Sequence, residues 1–169
     1  MFSAHKNDMS TSRYCFSVPV RSRREPVETE VAFYAGMTQF AVTELGVNQN
    51  IVFDQSFNNI GDHYSPIHGY FKAPVPGTYV FHVTLACKDV HGIDKHFHAK
   101  IDVNGTEVSS FIVTPGDQSS QMIVVNLDAG TEVSVRNGIS GDSVFGGEWS
   151  TFSGFLLYER FVNPATIVG

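Results

Sequence analysis

The polar segment from Lys88 to His98 carries the side chains whose types and spacing best suit metal chemistry. Asp89 and Asp94 lie in the same loop, and carboxylate oxygens are the ligands that calcium prefers. His96 and His98 share one face of a predicted strand, and this spacing lets two imidazoles bind one zinc or copper ion. Asp89 and Asp94 are therefore candidate calcium ligands, and His96 and His98 are candidate zinc or copper ligands. A solvated turn and exposed polar histidines are the alternatives.

A glycine-rich aromatic segment is the second candidate for binding chemistry. It runs from Phe145 through two glycines to Trp149, the single tryptophan of the chain. An indole in a loop can stack on the apolar face of a sugar ring. Together with His91, the residues Phe145 and Trp149 are our candidate ligand-binding residues. Alternatively, Trp149 fixes its loop to the end of the domain.

Sequence motifs for catalysis do not occur in this chain. We find no Gly-x-Ser-x-Gly elbow, phosphate-binding loop or His-Glu-x-x-His pair. Cys87 lies in an apolar run, where a reactive thiolate is poorly stabilised. We therefore predict that the protein is not an enzyme.

The two cysteines, Cys15 and Cys87, are too few for a disulfide framework. Cys15 lies in the polar amino-terminal stretch, and the apolar surroundings of Cys87 are typical of a buried thiol. A bridge between the two cysteines, or a Cys15 link between chains, remains open.

The charge distribution separates a polar arm from an acidic body. Residues 31–160 carry six Lys or Arg and thirteen Asp or Glu, whereas residues 1–30 carry five and four. An acidic body without a basic stripe argues against nucleic acid as a partner. The sequence contains no apolar stretch of about 18 residues, so we predict no membrane insertion. We assign 1–30 as a polar, flexible arm, 31–160 as the globular domain and 161–169 as a short extension.

Short runs rich in Val, Ile, Phe, Tyr and Thr recur from Val31 onward, separated by Gly, Pro, Asn and Asp. This spacing predicts an all-β fold. The Asn104-Gly105 pair predicts a tight hairpin turn, because both residues tolerate positive φ. We predict strands at 31–38, 51–54, 67–72, 77–87, 95–103, 107–113, 120–127, 131–137 and 150–159.

Two of these strands, 79–87 and 152–158, are apolar at both alternating positions. In an antiparallel sandwich this pattern indicates that the outer face of those strands is covered as well. A second copy of the chain is the simplest cover. We also expect Tyr79, Phe81 and Phe155 to be among the most buried side chains.

The spacing of aromatic residues, one asparagine and one glycine between positions 53 and 83 resembles the signature of the C1q globular-head family. The positions that match are Phe53, Asn59, Tyr64, Phe71 and Gly77, followed by Thr78-Tyr79-Val80-Phe81. Val83 stands where that family usually has Phe or Tyr. A second block, 150–158, is similar to the last strand of the family, so the resemblance covers 31–160.

This resemblance implies a ten-strand antiparallel β-sandwich of jelly-roll topology that assembles as a homotrimer, as in the C1q and tumour-necrosis-factor superfamily. It also implies that Asp89 follows an inner-sheet strand, where calcium-binding relatives often place a carboxylate near the trimer apex. The chain lacks the collagen-like Gly-X-Y stretch of many relatives.

The resemblance further implies a secreted, extracellular recognition module like the stand-alone C1q-domain proteins of invertebrates, although Met1 to Ser12 is polar and no signal peptide is visible. The expected ligands are polymeric glycans or microbial surfaces, which the protein would bind in a lectin-like manner with the help of calcium. A receptor-binding signalling ligand and a metal-binding structural protein of extracellular fluid are the alternatives.

Overall fold

The chain folds into two antiparallel β-sheets packed face to face. The computed structural model describes residues 29–87, 96–138 and 142–160. Within these ranges the strands are β1 (Ala32–Leu45), β2 (Gln55–Ile60), β3 (Tyr64–Ser65), β4 (Tyr70–Lys72), β5 (Gly77–Cys87), β6 (Phe97–Val103), β7 (Thr106–Val113), β8 (Gln118–Leu127), β9 (Glu132–Asn137) and β10 (Asp142–Glu159). The predicted arm and the carboxy-terminal extension lie almost entirely outside the described residues.

The two sheets interleave strands from both halves of the chain. Sheet A has the strand order β2-β1-β10-β5-β8, and sheet B has the order β3-β4-β9-β6-β7. Strands next to each other in a sheet are therefore mostly distant in sequence, as in a jelly roll. The predicted all-β, ten-strand sandwich is confirmed.

The strand predicted at 51–54 is wrong. Ile51 and Phe53 are fully buried, which gives the segment a strand-like alternation. However, the segment forms only isolated bonds to sheet B: Ile51 N donates to Val135 O at 2.8 Å, and Asn50 forms a single bridge with Arg136. The ladder itself starts at Gln55, where β2 pairs with β1.

The predicted hairpin turn at Asn104-Gly105 is present between β6 and β7. Asn104 has φ 49° and Gly105 has φ 81°, so both turn residues adopt the left-handed conformation. The Asn104 side chain also accepts a hydrogen bond from Glu132 N at 2.9 Å, which ties the turn to β9.

An aromatic cluster fills the space between the sheets. Phe33 stacks on Tyr64 and on Phe71, with ring centroids 4.6 and 5.4 Å apart. Phe81 packs against Phe71 at 5.3 Å and against Phe152 at 6.1 Å. The family-signature residues therefore form one connected core rather than a surface site.

Two polar features complete that core. Asn59 holds the turn before Tyr64, since its Nδ2 donates to Tyr64 O at 2.9 Å and its Oδ1 accepts from Tyr64 N at 3.1 Å. Burial raises the pKa of the Tyr64 hydroxyl well above its ordinary value. The hydroxyl therefore stays protonated and donates to Phe53 O at 3.1 Å.

Glycine is required where β5 and β10 approach the core most closely. A Cβ at Gly77 would lie 2.7 Å from Tyr158 O, and a Cβ at Gly154 would lie 2.5 Å from the Phe81 ring and 2.8 Å from the Phe33 ring. The signature glycine at 77 thus permits the contact between the end of β10 and the start of β5.

The expectation that Phe155 is buried is wrong for the single chain. Tyr79 and Phe81 are fully buried as predicted, but Phe155 is 45% exposed. Strand alternation explains the difference, because Gly154 points into the core and its neighbour Phe155 must point away from it. Phe155 lies instead on the outer face of sheet A.

A row of apolar side chains crosses all five strands on the outer face of sheet A, and we call it the apolar row. Register places its members side by side: Ile60, Ala32, Phe155, Val80 and Val124. The next row contains Tyr34 and Met122, which are exposed. An exposed, continuous apolar stripe of this kind marks a surface that another molecule covers.

A hydrogen-bonded clamp joins β1 to the segment before β2. Asp54 accepts a hydrogen bond from Thr38 N at 2.8 Å and another from the Thr38 hydroxyl. Burial raises the pKa of Asp54, but the hydrogen bonds from Thr38 outweigh it and hold the pKa below its ordinary value of 3.8.

This clamp should make part of the stability depend on pH. A carboxyl group with a depressed pKa stabilises the fold above its unfolded pKa, and that stabilisation is lost as pH falls through the folded pKa. Asp54→Asn should therefore unfold at a lower temperature than wild type at neutral pH, and the difference should shrink below pH 3.8. Thermal unfolding followed by circular dichroism checks this, with the exposed Asp62→Asn as control. A difference that stays constant into strong acid would contradict it.

Candidate functional site

A wide bulge in β10 builds the surface around Trp149. Pairing of β10 with β5 jumps from Phe145 opposite Ala86 to Thr151 opposite Thr84, so extra residues loop out of β10 between these pairs. Gly147 has φ 62°, a conformation that glycine adopts without strain. The bulge pushes Trp149 out of the sheet, which differs from the prediction that β10 begins only at 150.

Ser150 closes this bulge with two hydrogen bonds. Its hydroxyl accepts from Ala86 N at 3.1 Å and donates to Phe145 O at 2.5 Å, and the residue is fully buried. Gln118 of β8, the strand on the far side of β5, donates from Nε2 to Trp149 O at 2.7 Å. The backbone that carries Trp149 is thus fixed from both sides, although the indole itself is exposed.

The bulge forms one wall of an open groove of about 340 Å³, which we call the aromatic groove. It lies where the end of β5, the start of β8 and the bulge of β10 meet. Its lining consists of Phe40, Ala86, Gly116, Asp117, Gln118, Phe145 and Trp149.

In the single chain, the aromatic side chains of this groove face solvent on the outer face of sheet A, six residues along β5 from the apolar row. Trp149 is 62% exposed and Phe40 is 73% exposed. Phe40 packs edge-on against Phe145, with ring centroids 5.5 Å apart. The exposed indole does not fit the alternative in which Trp149 packs into the domain to fix its loop.

This arrangement offers two apolar faces beside hydrogen-bonding groups. The faces of Phe40 and Trp149 can stack on a flat apolar surface of a ligand. The carboxylate of Asp117 and the amide of Gln118 border the same groove. Such a combination suits a ligand with an apolar ring face and hydroxyl groups at its edge.

Sequence reasoning selected two of the three aromatic residues and missed Phe40. The predicted strand stopped at 38, whereas β1 continues to Leu45 and carries Phe40 to the groove. The signal was present as an aromatic residue just beyond the predicted strand. Its partner in space, Phe145, is about a hundred residues away, and only the pairing of Ala41 with Phe145 reveals the contact.

The candidate calcium ligands Asp89 and Asp94 and the candidate ligand-binding residue His91 lie outside the described residues. The segment that holds them begins directly after Cys87, whose backbone accepts a hydrogen bond from Gly116 N at 3.1 Å. Gly116 lines the aromatic groove. Cys87, the last described residue before this segment, therefore lies next to this groove.

The candidate zinc or copper ligands belong to the start of β6. His96 is exposed and directly precedes the strand, and His98 is half-buried and pairs with Ile112. Among the described residues, no three metal-ligating side chains come together. The metal assignment stays a prediction.

Residues 32–157 match the family described as "C1q domain". This chain belongs to the C1q domain family. Trimer assembly is typical of that family, and the relatives of this chain that carry a C1q domain are non-enzymatic signalling or recognition proteins. The described residues include no helix long and apolar enough to cross a membrane.

Curated relatives share this C1q domain. The chain is 32% identical over 142 residues to human (Homo sapiens) "Complement C1q tumor necrosis factor-related protein 3", covering 79% of this chain and 54% of the relative. It is 32% identical over 133 residues to mouse (Mus musculus) "Multimerin-2", covering 76% of this chain and 13% of the relative. The chain thus spans about half the length of the first relative and a small part of the second.

Solved structures share the fold of this C1q domain at low sequence identity. The globular domain of zebrafish complement 1qA protein superposes with a TM-score of 0.57 at 16% identity, covering 78% of this chain and all of that one. The Eiger TNF structure from S. frugiperda superposes with a TM-score of 0.61 at 14% identity, covering 81% of this chain and 98% of that one. Both are two-sheet domains of the C1q and tumour-necrosis-factor type.

Proposed function

We propose that this C1q-domain chain is a trimeric, extracellular recognition module that binds polymeric glycans, including those on microbial surfaces, through the aromatic groove. The observation that carries the proposal is the exposure of Phe40 and Trp149 on either side of one groove, at 73% and 62%. Exposed apolar side chains that are grouped at a concave surface are typical of ligand-binding grooves.

Glycans fit this groove better than most ligands do. A sugar ring has an apolar C–H face for Phe40 or Trp149 and hydroxyl groups for Asp117 and Gln118. The groove is open and about 340 Å³, near the lower end for ligand pockets. It therefore suits one or two sugar units of a longer chain, bound with modest affinity.

Trimerisation would convert weak single contacts into firm attachment. Three copies of the groove on one particle engage a repeating ligand together, and linked binding of this kind commonly raises avidity by about 10²-fold or more. Polysaccharides and bacterial surfaces present such repeats, and free monosaccharides do not. The proposal therefore predicts retention on polymers with little competition from free sugar.

The proposed glycan binding includes a contribution from bound calcium. Asp89 and Asp94 from three chains would supply carboxylate oxygens for calcium, which prefers such ligands. Cys87, the last described residue before the segment that carries them, lies beside the groove, which favours a role of calcium in glycan binding. Zinc or copper at His96 and His98 is the lesser proposal.

The groove is tested by retention of the trimer on immobilised polysaccharides, with calcium and with chelator. Trp149→Ala and Phe40→Ala should each lose most of the retention, because each removes one stacking face. Ile67→Ala is the matched control, since Ile67 is 80% exposed but does not line the groove. Equal retention of all three variants would contradict the assignment of the groove.

The second candidate function is a receptor-binding signalling ligand. Two observations favour it: the similarity to a "C1q tumor necrosis factor-related protein" and the apolar character of the aromatic groove, which a protein side chain could also fill. Saturable binding to one cell-surface protein, without retention on any polysaccharide, would support this function. A metal-binding structural protein of extracellular fluid, the third candidate, would require tight zinc or copper uptake.

A further inference from the structure

A second cavity lies on the outer face of sheet B, and we call it the polar cavity. Its volume is about 310 Å³. The side chains around it come from β4, β9, the β6–β7 turn and the segment before β2. They are Asn50, Tyr70, Asn104, Glu132, Ser134 and Arg136, together with Gly105.

A buried carboxylate lies beside this cavity, behind two of the residues that line it. Asp102 is only 5% exposed although it lies on the outer face of the sheet, opposite Ser134 in register. Its Oδ2 is 3.2 Å from Arg136 Nε, and both Ser134 and Arg136 line the cavity. Its Oδ1 has no hydrogen-bond partner among the described residues. A buried carboxylate oxygen normally accepts a hydrogen bond, and an ordered water molecule is a common donor at such a place.

Charges around the polar cavity are paired. The Arg136 guanidinium is balanced by Asp102 at 3.2 Å, and Glu132 is balanced by Lys72 at 3.4 Å. A ligand with a net charge would therefore find no unpaired side chain of opposite charge in this cavity. This balance favours a neutral ligand over an anion or a cation.

The remaining groups of the cavity are a set of hydrogen-bonding side chains and one aromatic wall. Asn50 uses Nδ2 to donate to His68 O at 3.0 Å, and Asn104 uses Oδ1 to accept from Glu132 N at 2.9 Å. In the described part of the chain, the Asn50 carbonyl and the Asn104 amino group make no further hydrogen bond. Tyr70 supplies an aromatic ring at the side.

We propose that the polar cavity binds a single neutral sugar ring. Sugar hydroxyls both donate and accept, so one hydroxyl can donate to the side-chain carbonyl of Asn50 while another accepts from Asn104 or Arg136. The Tyr70 ring gives the apolar C–H face of the sugar a contact surface. A volume of about 310 Å³ limits the ligand to about one ring.

This site is separate from the aromatic groove. The groove lies at the end of the sandwich where Cys87 contacts Gly116 and where Phe97 pairs with Val113. The polar cavity lies on the other sheet, near the opposite end of β6, where Val103 pairs with Thr106. Its existence therefore does not depend on the function proposed for the groove.

Nuclear magnetic resonance of the full chain tests the proposal. Isotope-labelled protein is titrated with methyl glycosides of glucose, galactose and mannose, and separately with methyl glucuronide and glucosamine. Neutral glycosides should shift the amide signals of 102–105 and 132–136 in a saturable manner, with a dissociation constant of about 1 mM. Shifts that persist in Trp149→Ala support a separate site, and shifts that vanish there overturn it.

Two variants distinguish a sugar site from a solvent-filled cavity. Tyr70→Ala should weaken binding of the neutral glycosides roughly three- to tenfold, because it removes the aromatic wall. Asp102→Asn should shift the preference toward methyl glucuronide, because it leaves the Arg136 charge uncompensated. Absence of shifts with every glycoside, or a preference of the wild type for a charged sugar, would overturn the proposal.

Discussion

Light scattering at micromolar concentration should give a particle mass about three times the chain mass of 18.6 kDa. The reason is the apolar row on sheet A, in which Phe155 is 45% exposed at the centre of the sheet. Solvent contact with such a row is unfavourable, and stable obligate interfaces commonly bury more than about 2,000 Å². Trimer assembly, which is typical of the C1q domain family, would cover this surface.

A pair of matched variants locates the interface. Val124 and Ile112 are both exposed β-branched residues on edge strands, but Val124 belongs to the apolar row on β8 and Ile112 lies on β7 of the other sheet. Val124→Asp should dissociate the trimer, because an unpaired carboxylate would be buried in the interface. Ile112→Asp should leave it intact. A wild-type protein that is monomeric at this concentration, or equal behaviour of both variants, would contradict the assignment.

Phe81→Ala should destabilise the fold by about 3–5 kcal/mol, the usual cost of removing a buried phenylalanine ring. The Phe81 ring packs between Phe71 and Phe152, at 5.3 and 6.1 Å, so the cavity left behind cannot collapse without moving several rings. At fixed protein concentration, the melting temperature should fall by roughly 6–20 °C.

Phe40→Ala serves as the control for this core variant. It removes the same side-chain atoms from a residue that is 73% exposed, so its melting temperature should remain close to that of wild type. Differential scanning calorimetry on both variants and the parent makes the comparison. A Phe81→Ala protein that melted with the parent would show that the aromatic cluster does not form the core.

The sequence predicted those parts of the fold that depend on local pattern. Alternation correctly placed Tyr79 and Phe81 in the core, and the Asn104-Gly105 pair located a turn whose residues both have positive φ. It failed at Phe155, because a run that is apolar at every position does not say which residues face the core. Gly154 decides that question, since only a residue without Cβ fits against Phe81.

The aromatic groove could be predicted only in part for a related reason. Trp149 and Phe145 are close in sequence and glycine marks the bulge between them, so the sequence alone predicts that they lie near each other. Phe40 joins them through the long-range pairing of β1 with β10, which no local pattern encodes.

The polar cavity was not predicted at all. Asp102 lies on the outer face of β6, where strand alternation alone predicts contact with solvent, yet its side chain is buried. Its 5% exposure results from neighbours on the same face of sheet B, including Arg136 of β9 at 3.2 Å. Burial on an outer face depends on such cross-strand neighbours, and these become known only once the strand order is known.

The central claim is recognition of repeating glycans by a trimer, and the most direct test compares retention of wild type with retention of Val124→Asp on the same immobilised polysaccharides. Both proteins keep the aromatic groove, which Val124 does not line. The wild type should be retained, and free monosaccharide should barely compete. The avidity of the dissociated variant for the polysaccharide should be lower by about 10²-fold or more. Equal retention of trimer and dissociated variant, or no retention of the trimer on any polysaccharide with calcium present, would contradict it.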